Sequence, residues 1–304
     1  MSASAYQWLA DSLPVGEAGQ PLLDIGFYVT FFFEDGHLPE RRRVAYEILK
    51  EYWFRVGEHL RWTTNLKTHE WQPVTAKDFA DAWFAAQPKE PWKWNVTLHG
   101  GETFDAASPY RFDGLGLPNP ERSMSYISAM FPATWFADHA EASAVDIVQR
   151  WATLLQPRHG TAGLSIVGSL DRLTASKTRE QARGLAERFP GLEVDDALTE
   201  SIFVQEGIRS VNWLTCIDDS LIERFGGIER LRARVTDDLH LYEYPGGAII
   251  RAGDFPQAGD RNRQRAIEPY RRAAALLRPV QPTYRGIMLG FDRESTQEWV
   301  NRFN

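Results

Sequence analysis

The amino-acid sequence predicts an α+β protein, a mostly antiparallel twisted sheet with amphipathic helices packed on one face. Three observations carry that prediction. Residues 24–33 put Ile25, Phe27, Val29, Phe31 and Phe33 on one face and Asp24, Gly26, Tyr28 and Thr30 on the other, the two-residue period of a strand, enriched in aromatics. After the turn Glu34-Asp35-Gly36, Pro39 opens a segment whose Ala45, Ile48, Leu49, Tyr52, Trp53 and Val56 fall at helical spacing. Near the other end, Tyr244-Pro245-Gly246-Gly247 joins two short apolar runs, residues 239–244 and 248–252, so tightly that they must pair antiparallel.

The remaining elements follow in order. Trp92, Trp94, Val96 and Leu98 alternate with Lys93, Asn95, Thr97 and His99 as a half-buried strand, and the Gly-, Pro- and Asp-rich residues 100–122 read as loop. Residues 124–131 form a buried strand, and Ala144, Ile147, Val148, Trp151, Ala152 and Leu155 repeat the helical offsets of the first helix until Pro157. A strand over 162–170 and a helix marked by Ala182, Leu185, Ala186 and Phe189 come next, the helix stopping at Pro190-Gly191. Residues 211–217 are a strand, with Asp218 or Asp219 capping a helix that breaks at Gly226-Gly227 and resumes over 231–235. Helices at 269–277 and 294–303 finish the chain. This echo of strand and helix leaves two organisations open over the 304 residues: a single unit, or two similar lobes, an acidic one over 1–170 and a second over 171–304.

Composition narrows the function classes. The single cysteine, Cys216, rules out an intramolecular disulfide, and residues 1–20 have neither a cationic start nor an apolar run, so a cytoplasmic protein is expected, with no membrane contact. Of the formal charge of -7, all falls in residues 1–150, which hold 13 Lys and Arg against 20 Asp and Glu, whereas residues 151–304 hold 21 of each. An acidic field repels nucleic acid and attracts a basic protein.

No catalytic constellation emerges. His99-Gly100-Gly101 looks like an oxyanion turn, but Gly163-Leu164-Ser165-Ile166-Val167 lacks the second glycine of a nucleophile elbow. Gly114-Leu115-Gly116 has Asn119 where a dinucleotide fingerprint needs its third glycine. Seven scattered histidines and one cysteine in an apolar strand do not make a metal site or a reactive thiolate, so neither metal nor cofactor is expected. What remains is acidic: Glu34 and Asp35, the run Glu193, Asp195 and Asp196, Asp218 and Asp219, and Asp237 and Asp238. These acids either cap helices and line turns, or form a negative surface for a basic partner, with Glu34, Asp35, Glu193, Asp195, Asp196, Asp218 and Asp219 the candidates for contact. The tryptophans between Trp83 and Trp94 are the candidate aromatic anchors.

The last hundred residues combine Trp213-Leu214-Thr215 before an acidic helix start, Gly226-Gly227 with Leu231, the Tyr244-Pro245-Gly246-Gly247 turn, Ala252-Gly253 followed by Gln257, Gly259-Asp260 and Asn262, and closing Trp299 and Phe303. In these features residues 211–304 resemble the TsiV-like family of type VI secretion immunity proteins, associated with toxic bacterial nucleases; residues 1–200 fit in length and texture, with 132–136 following a strand. The resemblance implies a non-catalytic antitoxin that binds a co-encoded, cytoplasm-acting nuclease effector and occludes its active site or substrate surface. It carries over no binding residue position by position. Two rival readings stand beside it: a small-molecule hydrolase using Asp218, Asp219 and a distant base such as His240, and a non-catalytic adaptor of the secretion machinery.

Overall fold

The structure is a computed structural model that describes residues 9, 13, 22–65, 68, 70–139, 143–194, 196–236, 238–283, 286–288 and 290–304, without the side chain of residue 172. Most of residues 1–20, Asp195 and Asp237 lie outside the described residues. The strands are β1 (Asp24–Phe33), β2 (Trp62–Thr64), β3 (Trp71–Pro73), β4 (Trp94–His99), β5 (Arg111–Gly116), β6 (Ser125–Pro132), β7 (His159–Val167), β8 (Glu193–Val194), β9 (Leu214–Asp218), β10 (Leu239–Tyr244) and β11 (Gly247–Ala252). Together they make one 11-stranded sheet in the order β10-β11-β9-β7-β1-β6-β5-β4-β2-β3, with β8 also joined to β7. Every pairing is antiparallel except β7 with β8. The sheet runs through residues of both halves of the chain.

One face carries the longest helices. Phe27, Val29, Phe31 and Phe33 of β1 share a core with the buried sides of helices Pro39–Val56, Ala144–Leu155 and Glu268–Leu277. Tyr52 donates to the Met130 carbonyl at 2.6 Å, fastening the first helix to β6, and Ser143 caps the second by accepting from the Asp146 amide at 3.3 Å. Gln156, in the left-handed conformation at φ 45°, ends that helix next to Pro157.

The second face is more polar. Thr30 donates to Ser128 at 2.9 Å, Tyr28 to Thr161 at 2.9 Å, Thr97 to Asp113 at 2.8 Å and Tyr126 to Asp113 at 2.7 Å, so hydroxyls bond to one another or to the Asp113 carboxylate across neighbouring strands. Over β1 and β6 this face is covered by residues 196–204, with Ala197 and Val204 against Phe32, Met124 and Tyr126. β1 is therefore buried on both faces from Ile25 to Phe33, although its alternation looks like that of a half-exposed strand.

A buried ion cluster holds that cover down. Arg209 pairs with both Glu193 and Glu200, and Arg302 reaches Glu193 at 3.5 Å while donating to the Pro190 carbonyl at 2.6 Å. None of these four side chains is more than 7% exposed. Burial pushes Arg302 down to about 10 against the pull of Glu193, so it stays cationic at neutral pH and the cluster balances two acids with two bases.

The structure differs from the sequence reading in several stretches, among them the strand read at 211–217, which runs from Leu214 to Asp218. Residues 100–122 contain β5, hidden because Gly114 and Gly116 imitate a loop; a Cβ at Gly116 would overlap the Trp94 indole, so the glycines make room for a cross-strand ring. The strand read at 162–170 begins at His159 and ends at Val167.

Two predictions follow from the interior. Glu193→Ala leaves two buried guanidinium groups short of an acid and should destabilise the protein by about 3–5 kcal/mol in urea denaturation, more than Glu193→Gln. His159 and His99, each 2% exposed, are pushed by burial down to about 3 and about 4. Both folded values lie below the unfolded 6.5, so the unfolded chain takes up protons the native state refuses. The stability these groups hold above that pH is lost as pH falls toward 4, at about 1.4 kcal/mol per pH unit for each. His159→Leu should reduce the slope of stability against pH in that window by about half of their joint contribution.

Candidate functional site

The register of the central strands gathers four of the candidate acids. Phe32 of β1 lies opposite His159 of β7, His159 lies opposite Ile217 of β9, and Asp218 lies opposite Gly247 of β11. The end of β1, the start of β7, the end of β9 and the β10–β11 turn thus share one rim of the sheet. Glu34, Asp35, Asp218 and Asp219 all sit there, though they are separated by almost two hundred residues of chain.

Arg158 organises this rim. Its amide donates to the Phe32 carbonyl at 2.9 Å, its carbonyl accepts from the Asp218 amide at 2.9 Å, and its guanidinium lies 3.4 Å from Glu34. Nothing in the sequence around Arg158 marks it; the role comes from strand pairing. Asp218 accepts from the Leu221 amide at 2.9 Å and from Ser220 at 2.8 Å, capping helix Asp219–Glu223 as expected, and is half-buried. Asp219 is exposed in the first helical turn, its amide donating to the Gly246 carbonyl at 3.0 Å. Asp35 adopts φ 58°, a left-handed turn conformation that a short acid tolerates.

The turn that begins at Glu34 then crosses the ends of β6, β5 and β4. Gly36 donates to Ser125 Oγ at 3.2 Å, its carbonyl accepts from the Trp94 indole at 2.6 Å, and the His37 carbonyl accepts from the Trp92 amide at 3.0 Å. Of the tryptophans expected to include anchors, Trp83 and Trp94 are buried whereas Trp92 is 60% exposed beside this turn. The rim therefore presents Trp92 at one flank and carboxylates across its centre.

The other candidate acids lie elsewhere. Glu193 is 1% exposed inside the ion cluster, which removes it from any surface a partner touches; its place after Pro190-Gly191 resembled a loop, but the chain there enters β8 beneath Arg209. Asp196 is half-buried on the second face, capping helix Ala197–Glu200 by accepting from Thr199 at 3.3 Å. Asp195 lies outside the described residues.

The structure does not bring His240 to Asp218 and Asp219. His240 sits 3.9 Å from Asp254, and its strand partner Arg251 is four positions along β11 from Gly247, the partner of Asp218, which separates them by about 13 Å of strand. Cys216 is buried in β9, and burial pushes its thiol well up, as expected of a packing residue. Among the described residues no group of three or more His, Cys, Asp or Glu is placed to hold a metal ion, and no helix is long and apolar enough to cross a membrane.

Comparison with known proteins agrees with the architecture. The Pseudomonas aeruginosa T6SS protein PA0821 superposes with a TM-score of 0.83 at 20% identity, over 99% of this chain and 90% of that one, a likeness of fold. No curated protein matches the sequence. The family described as "TsiV: Type VI immunity for VRR-NUC" matches residues 45–303, which take in Arg158, Asp218 and Asp219 of the rim and the buried ion cluster but not Glu34 or Asp35, and the chain belongs to that family of type VI immunity proteins.

Proposed function

We propose that the chain acts as a single cytoplasmic immunity unit that neutralises a VRR-NUC nuclease effector by seating its acidic rim on the cationic surface with which that nuclease holds nucleic acid. The observation that carries this reading is the convergence of Glu34, Asp35, Asp218 and Asp219 beside the exposed Trp92, at one end of a rigid sheet. A protein that grips a polyanion must present lysine and arginine along its cleft. Carboxylates held at fixed spacing compete for those cations and speed encounter, while Trp92 supplies the desolvated contact that long-lived binding requires. The role needs no bond-making by this chain.

Co-expression tests the reading directly: the protein should relieve the lethality of a nuclease encoded beside it, and a cell that still dies with both proteins abundant would refute it. In calorimetry, Glu34→Lys with Asp219→Lys should weaken effector binding at least tenfold and flatten its dependence on salt, since both changes reverse exposed charges. Trp92→Ala should cost about 2 kcal/mol of affinity with little change in the salt dependence. Affinities equal to wild type in both variants would place the interface away from this rim.

A further inference from the structure

An acidic chain gathers several arginines beyond the far end of β11 from the rim. After Ala252 the chain reaches Ala258, whose carbonyl accepts from the Gly191 amide at 2.8 Å, and then turns through residues 260–265. Asp260 builds that turn: its backbone bridges Arg265 with bonds of 3.0 and 2.9 Å, and its fully buried carboxylate accepts from the Asn262 amide at 3.0 Å. The same carboxylate lies 3.5 Å from Arg188 and 3.7 Å from Arg263. With Asp260 so engaged, Arg261 and Arg265 stand exposed with no ion-pair partner among the described residues.

These two arginines and Arg271 wall a cavity of about 350 Å³. Pro190, Ala266, Ile267 and Phe303 supply its apolar lining, and none of the described lining residues is acidic. Arg302 also borders it, but that guanidinium is turned inward to Glu193 and packs 3.3 Å over the Trp299 ring, so it braces the wall. Arg271 already lies 3.4 Å from Glu268, which leaves Arg261 and Arg265 as the lining cations that a multiply charged anion in the cavity would answer.

We propose that this cavity binds a phosphate ester of mononucleotide size. Guanidinium forks match phosphoryl oxygens in pairs, a phosphate carries enough charge to answer more than one arginine, and the apolar lining suits a sugar or ring attached to it. The volume falls near the lower end of small-molecule pockets, at ~300 Å³, which fits one such group and not a folded segment. The site is independent of the rim, and its failure would leave the effector reading untouched.

Isothermal titration of the full chain at low salt provides the test, using inorganic pyrophosphate, a nucleoside 5′-monophosphate, a 5′-phosphorylated oligonucleotide and citrate. The phosphates should bind with dissociation constants of about 10–100 μM and citrate at least tenfold more weakly. Arg261→Gln with Arg265→Gln should weaken phosphate binding at least tenfold, and Ala266→Trp, which fills the cavity with every charge retained, should do the same, both with unchanged melting. Tighter binding of the oligonucleotide than of the monophosphate assigns the site to strand ends, and equal binding assigns it to free nucleotides. Citrate binding as tightly as the phosphates, phosphate binding weaker than about 1 mM, or full affinity in either variant overturns the proposal.

Discussion

The pairing of β1 with β6 on one side and β7 on the other is the constraint from which the rest of the molecule hangs. Because β1 is buried on both faces from Ile25 to Phe33, a one-residue slip would drive phenylalanines into the hydroxyl row of the second face and strand Thr30 among the helices. The register is therefore fixed by the core, and the core in turn fixes the rim. Glu34 and Arg158 meet because Phe32 and His159 are opposite, and Asp218 joins them because β9 takes its register from the same strand β7.

The acids of this chain divide into two physical classes, and the division explains both what the sequence shows and what it hides. Glu193 and Glu200 are committed to guanidinium groups inside the protein, where an acid is tolerable only with a partner. Glu34, Asp35 and Asp219 remain in water. Composition counts both classes alike. The run at 193–196 resembled a solvated turn because the arginines that neutralise Glu193 lie sixteen and more than a hundred residues away.

Much of the fold was legible where one local pattern decides one element: the β1 alternation, the Pro39 helix, the Asp218 cap and the β10–β11 turn are all written within a few residues. β5 was not, since its glycines answer to Trp94 across the sheet. The short strands β2, β3 and β8 exist mainly through their neighbours. The rim was half legible in the same sense. Its acids and the neighbourhood of Trp92 were visible as residue types, while their assembly, and the place of Arg158 at its centre, are products of long-range pairing.

How the rim is built bears on how it can act. Association loses the motional freedom of every side chain it immobilises, so a surface whose backbone is fixed beforehand binds more tightly for the same contacts. Here Arg158 clamps β1 to β9 through its own amide and carbonyl, Trp94 holds the Gly36 carbonyl, and Asp218 is occupied in ordering the helix that carries Asp219. Asp218 and Arg158 are thus positioning residues, Asp218 through its carboxylate and amide and Arg158 through its backbone and its contact with Glu34. The groups exposed to a cationic partner are Asp35 and Asp219, Glu34 on the side that Arg158 leaves open, and the indole of Trp92. An interface of this kind draws its selectivity from where the fold puts a few carboxylates, which net charge alone cannot supply: the same chain, at the other end of the same sheet, displays arginine.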